Sequence, residues 1–153
     1  MAYLLKSVTI RADNSPEGME RIAALWRDVA SGSIPLLFDS GGQFQPGISP
    51  ISRYDSYESD DTGAYDLSIL GVTPDFFAAL EEKIRLGLYK KYEAKGDSLE
   101  ECARLAWEQV WADQRSGVLR RAFDRDYEST VPADFTKDGT AHCYLYISIT
   151  GRP

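Results

Sequence analysis

Tyrosines in this chain come close to carboxylates in Tyr57-Glu58, Tyr65-Asp66, Tyr92-Glu93 and Tyr127-Glu128. A carboxylate among aromatic rings holds a cation by charge and ring quadrupole together. The same group serves as a general acid or base where burial raises its pKa. With 24 acidic residues in the chain, most are expected to be solvated surface charges. One stretch is less ordinary. Asp124, Asp126, Glu128 and Thr130 alternate along a strand-like segment, a pattern that suits a face bordering a cleft better than a sealed core.

Other chemistries are thinly represented. His142 is the one histidine, so a metal site built on several histidines is excluded. No Ser-His-Asp or Cys-His arrangement surrounds it, and it reads as a strand-edge residue. Cys102 and Cys143 lack CxxC spacing. Gly41-Gly42 is followed by neither Lys-Ser/Thr nor a helix start, so no phosphate-cradling loop is present. Neither a cofactor nor a metal is expected.

The 153 residues suffice for one domain with a real core. Hydrophobic residues at 43% and charged residues at 27% are globular values. The net charge of −7, with basic residues scattered, argues against direct nucleic-acid binding. No apolar run approaches a membrane span, and MAYLLKSVTI is too short in apolar residues for a secretory signal. Two cysteines make no disulfide framework, which implies free buried thiols and a cytoplasmic setting.

The elements that must position this chemistry follow from periodicity and caps. Residues 3–10, rich in β-branched and apolar side chains, read as a strand. Asn14 or Ser15 caps a helix over 16–30 with Pro16 in its first turn; Gly32 and Pro35 stop it. Residues 39–50 read as loop. Strands follow near 51–58 and 65–72, joined by a hairpin loop at 59–63. A short helix within 74–86 sets Phe76, Phe77, Leu80 and Ile84 on one side and links two halves. A strand over 87–94 precedes the capping box Ser98-Leu99-Glu100-Glu101 and a helix to about residue 113. Its apolar stripe holds Cys102, Ala103, Ala106, Trp107, Val110 and Trp111. Strands near 122–130 and 143–150 close the chain, with a loop over 132–140. The last strand puts Cys143, Leu145, Ile147 and Ile149 on a helix-packed face, and His142, Tyr144, Tyr146 and Ser148 on the other.

Strand, helix, strand, strand thus occurs twice, over about 1–73 and 86–153. That order predicts a single α+β domain of duplicated units in pseudo-twofold relation. It should be an antiparallel sheet with two long helices on one face and a ligand cleft between the halves.

Several segments resemble a known family. Tyr54-Asp55-Ser56-Tyr57-Glu58-Ser59-Asp60, then Gly63-Ala64-Tyr65-Asp66-Leu67-Ser68-Ile69-Leu70-Gly71-Val72, resembles the Y-x-x-Y-E-S-D … Y-x-x-x-x-G signature of GyrI-like proteins. These are the bacterial effector-binding domains found at the C-termini of AraC-type and MerR-type transcription regulators. Leu88-Tyr89-Lys90-Lys91-Tyr92-Glu93-Ala94-Lys95-Gly96 is similar to the second-half strand of the family. Leu105-Ala106-Trp107-Glu108-Gln109-Val110-Trp111 is similar to its A-W-x-x-I-Y/W helix, and Arg125-Asp126-Tyr127-Glu128 to its D-F-E-x-Y strand. Here Ser129-Thr130 stand where the family pattern continues to a Tyr.

The resemblance implies a bacterial multidrug-type module, standing alone because the chain has no helix-turn-helix. It would capture amphipathic cationic aromatic compounds with Glu128 as the charge and Tyr65, Trp107, Trp111, Tyr144 and Tyr146 as candidate walls. Trp107 and Trp111 also read as core on a helix stripe. Two other activities occur among such proteins. One is hydrolysis of cyclopropane-containing alkylating natural products, with Glu128 as acid or base. The other is modulation of gyrase through protein contact.

Overall fold

The computed structural model describes residues 7–31, 49–59, 63–131, 133 and 136–150. The expectations for residues 3–6, for the helix stop at Gly32 and Pro35, for the 39–48 loop, for residues 60–62 of the hairpin and for parts of the 132–140 loop lie outside them. Along the chain run β1 (Ser7–Ala12), α1 (Pro16–Ala30), β2 (Ser49–Asp55), β3 (Tyr65–Val72), α2 (Pro74–Arg85), β4 (Tyr89–Gly96), α3 (Leu99–Ser116), β5 (Asp126–Val131) and β6 (Ala141–Ser148). The fold class is α+β. The chain divides into two compact units, Met1–Ala78 and Ala79–Pro153. The boundary falls inside α2, within the stretch expected to link the halves.

In the first unit β3 pairs antiparallel with both β1 and β2, with Ile10 opposite Leu67 and Tyr54 opposite Leu67 on the far side. Ser15 caps α1: its backbone is extended and its hydroxyl accepts from the Gly18 N–H, with Pro16 in the first turn. Asn14, the other candidate cap, instead accepts a hydrogen bond from the Tyr65 hydroxyl at 2.7 Å. Leu25 and Val29 bury the helix stripe against Ala12, Tyr65, Leu67 and Ile69, with Ile22 and Trp26 at its margin.

The second unit repeats that connectivity. β6 pairs antiparallel with both β4 and β5. The Ser98 hydroxyl caps α3 by accepting from the Glu101 N–H at 3.1 Å, as the capping box requires. Gly117 ends the helix at φ 83°, a left-handed geometry that costs glycine nothing. The helix runs three residues beyond the expected end. Cys102, Ala106 and Val110 recur every four residues and pack on Tyr92, Cys143, Leu145 and Ile147. Ala103, Trp107 and Trp111 form the adjoining, partly buried row.

One boundary differs in kind. The strand expected from residue 122 begins at Asp126. Between Gly117 and Arg125 the backbone is irregular, with Arg121 bridged to Ile149 and Phe123 at φ 52°. A left-handed non-glycine residue breaks the alternation on which the strand reading rested. No described helix is long and apolar enough to cross a membrane.

Candidate functional site

The register of the second unit sorts the candidate residues. Glu128 lies opposite Leu145 and so shares the α3 face of the sheet. Tyr127 lies opposite Tyr146, and Ser129 opposite Tyr144, on the reverse face. Glu128 therefore meets Trp107, whose indole Nε1–H donates to its Oε1 at 2.6 Å. Trp107 stacks on Trp111, one helical turn on, with ring centroids 6.0 Å apart and planes at 29°. These three predicted residues come together. All are half-buried.

Tyr144 and Tyr146 do not join them. They belong to the opposite face and cannot wall a pocket around Glu128 within this unit. Adjacency in sequence misleads in a strand, because consecutive side chains point to opposite faces. The same rule separates Tyr127 from Glu128 and Tyr92 from Glu93. Tyr92 is turned to α3, where its hydroxyl donates to Asp113 at 2.8 Å. Tyr65 sits in the core of the first unit, 3% exposed, with its hydroxyl on Asn14 and its ring against Tyr54 and Tyr57.

Beside Trp107 lies a charge cluster that the sequence did not single out. The Arg121 side chain is 2% exposed and donates from Nη2 to Asp126 Oδ2 at 2.8 Å. Its guanidinium carbon is 4.4 Å from the Phe123 ring centroid and 5.7 Å from that of Trp107. Asp126 is wholly buried, and its other oxygen accepts from the Ser148 N–H at 2.7 Å and hydroxyl at 2.9 Å. Asp126 therefore does not mark a cleft, as its place in the acidic alternation suggested; its charge is balanced by an internal guanidinium. Arg121, Asp126 and Glu128 together carry two negative charges and one positive.

No periodicity signals this cluster, since Arg121 and Asp126 lie on either side of an irregular turn.

The reverse face is a second network. The Lys91 ammonium lies 5.2 Å from the Tyr144 centroid and 5.6 Å from that of Tyr146, and bonds Glu81 at 2.8 Å. Burial opposes its charge most, but the Glu81 hydrogen bond and the charges of Tyr146, Glu81 and Glu93 together outweigh it and the lysine pKa is raised. His142 bridges the Tyr144 hydroxyl at Nδ1, 2.9 Å, and Asp138 at Nε2, 3.0 Å. Hydrogen bonds from the Thr140 N–H and hydroxyl, then from His142 and Lys95, hold the Asp138 carboxyl far below its usual range. Burial, first, pushes the phenols of Tyr144 and Tyr146 up.

Cys102 and Cys143 are fully buried and unbridged, as expected, and burial raises both thiols above their ordinary value. Among the described residues no group of three His, Cys, Asp or Glu is placed to hold a metal.

No family model matches the chain, and no curated protein matches it. In fold it is similar to a crystal structure of an integron cassette protein from the mobile metagenome of Vibrio cholerae. The TM-score is 0.61 at 18% identity, covering 97% of this chain and 94% of that one. At that identity the likeness concerns the fold alone.

Proposed function

We propose that this chain is a small-molecule-binding module of the GyrI-like effector-binding type. Its ligand is an amphipathic aromatic cation, held on the α3 face of the second unit. The observation that carries the reading is the Glu128 carboxylate fixed at 2.6 Å by the Trp107 indole beside the Trp107–Trp111 stack. Ring surface and charge are thereby offered side by side, which is what an organic cation with a flat body requires. The repeated strand-helix-strand-strand connectivity supports the family assignment. Unbridged thiols support a cytoplasmic location.

The test is equilibrium dialysis of N-methylquinolinium and its neutral isostere 1-methylnaphthalene against wild type and Glu128→Gln. Glutamine keeps an oxygen for the Trp107 N–H and removes only the charge. Coulombic and cation–π contributions give an expected loss of about 1–3 kcal/mol for the cation, roughly fivefold to 150-fold. The neutral compound should change little. Equal losses for both compounds, or none for either, would return Glu128 to an ordinary surface role.

A further inference from the structure

His142 is the chain's one histidine, and on the reverse face of the second unit it stands in the middle of three linked groups. Its Nε2 lies 3.0 Å from Asp138 Oδ1 and 3.1 Å from Oδ2, and its Nδ1 lies 2.9 Å from the Tyr144 hydroxyl. Asp138 accepts only: the Thr140 N–H and hydroxyl donate to its Oδ1 at 3.0 and 2.8 Å, and Lys95 pairs with its Oδ2 at 3.1 Å. A neutral His142 therefore carries its proton on Nε2, which leaves Nδ1 a bare lone pair. The Tyr144 hydroxyl is then the donor of the second bond. Phenol, imidazole and carboxylate stand in the order of a nucleophile, its base and the group that orients the base. Tyr144 is half-buried and the His142 side chain 15% exposed, so neither is sealed in the core.

We propose that Tyr144 is a nucleophile for acyl transfer, activated by His142 and positioned through Asp138, and that its substrates are aryl esters. This site is on the face opposite Glu128 and does not rest on the binding site proposed there. Burial keeps the Tyr144 phenol protonated, so the bond to His142 is what activates it. In the first step the Tyr144 oxygen bonds the ester carbonyl carbon while its proton passes to Nδ1. The C–O bond to the leaving phenol then breaks, and Nδ1 returns the proton to the departing oxygen. In the second step water gives a proton to Nδ1 and its oxygen attacks the acyl-tyrosine. The Tyr144–acyl bond breaks, the acid is released, and Tyr144 takes the proton back. Aryl esters suit this sequence because an aryl oxygen leaves about as readily as Tyr144 does. An alkyl ester would expel Tyr144 again instead of its alkoxide. Around the phenol, Lys91 lies 5.2 Å from the ring centroid and Lys95 is paired with Asp138, so two cations favour the developing negative charge. Glu93, opposite Tyr144 on β4, and Glu81, on Lys91, moderate them.

The probe is p-nitrophenyl acetate, followed by release of p-nitrophenolate and by peptide mass spectrometry after acid quenching. Wild type should carry the acetyl group on Tyr144 in preference to the rest of its nine tyrosines, and ethyl acetate should leave Tyr144 unmodified. Release should fall about a hundredfold in Tyr144→Phe and in His142→Ala. Free imidazole should restore much of the rate in His142→Ala and none in Tyr144→Phe, which a merely structural role for His142 would not produce. With a single histidine, the ring-nitrogen NMR signals need no assignment. At about pH 8 wild type should show a protonated Nε2 and a bare Nδ1, and Asp138→Asn should lose that preference.

A proton on Nδ1 in wild type, acetyl groups on lysines with none on Tyr144, or a Tyr144→Phe rate equal to that of wild type would each overturn the inference. So would a folded His142→Ala that imidazole fails to rescue. The peptide map and the wild-type nitrogen spectrum hold whether or not a variant folds.

Discussion

Removing the charge of Asp126 should be among the most damaging small changes in the second unit. Asp126→Asn retains an oxygen for the Ser148 N–H and hydroxyl, now 2.7 and 2.9 Å away. What it takes from Arg121 is a carboxylate at 2.8 Å, in a place where the arginine side chain is 2% exposed. It also turns an amide donor toward a guanidinium that is itself all donors. Breaking one side of a buried pair takes the closest counter-charge from the other, a cost of about 3–5 kcal/mol. Asp126→Ala adds the unmet Ser148 N–H, about 1–3 kcal/mol more.

The whole fold is worth only about 5–15 kcal/mol, so asparagine should be tolerated barely and alanine hardly at all. Urea unfolding measures this cleanly in a Trp26→Phe background. The chain has three tryptophans, and the remaining two, Trp107 and Trp111, both report on the second unit. With a slope of about 2 kcal/mol/M, Asp126→Asn should lower the midpoint by roughly 1.5–2.5 M. Arg121→Met should cost about as much. The double variant Arg121→Met/Asp126→Asn removes both charges of the pair together, so it should cost at least about 2 kcal/mol less than the sum of the singles. Additive costs, or a loss below about 1 kcal/mol for Asp126→Asn, would refute the claim that these two charges balance each other inside the fold.

Phe123 sits at φ 52° with its ring on Arg121. Phe123→Gly relieves the backbone and Phe123→Ala does not, so glycine should be the more stable of the two by about 1 kcal/mol in the same urea assay. Stability should fall at alkaline pH. Folded Cys143 and Tyr146 titrate above their ordinary values of 9.0 and 10.0. Groups raised in this way contribute stability that is complete below those values and is lost as pH climbs through the folded ones. Melts from pH 8 to 11 should therefore decline from about pH 9 upward, and Cys143→Ala should flatten the first part of that decline. Tyr144→Phe should leave N-methylquinolinium binding within about twofold, because its ring lies on the face opposite Glu128; a larger loss in dialysis would mean that the faces are not independent.

Much of this fold is legible residue by residue. Ser15 and Ser98 cap where their side-chain chemistry says they must, and Pro16 and Gly117 mark one helix start and one helix end. The four-residue recurrence of Cys102, Ala106 and Val110 gives the buried side of α3 directly. The alternation of Cys143, Leu145 and Ile147 gives the core face of β6 in the same way. Local rules reach that far because caps and periodicity act within a few residues.

The candidate site was half legible. Trp107, Trp111 and Glu128 meet because a helix row and a strand position fall on one face. Tyr144 and Tyr146 were misplaced beside them because their strand neighbours were read without cross-strand register, and register is set by pairing partners distant in sequence. Arg121 and Asp126 were missed as a pair for a related reason. They are brought together by a turn with no repeating pattern, around a residue whose left-handed backbone nothing in its type announces.

Lys91 has a consequence for any search for ligands of the tyrosine-rich face. Its ammonium already rests on Tyr144 and Tyr146 with Glu81 as counter-ion, the very constellation that would recruit a free amine. A group tethered by its own side chain acts as an intramolecular competitor at an effective concentration in the millimolar range or above. A soluble amine with micromolar intrinsic affinity for those rings would then register about a thousandfold too weak. Screening wild-type protein would make the face look inert, whereas Lys91→Met would uncover whatever affinity for amines the bare rings and Glu81 possess. In that case the protein's own lysine would hold this side of the sheet against cationic compounds, which Lys91→Met would relieve.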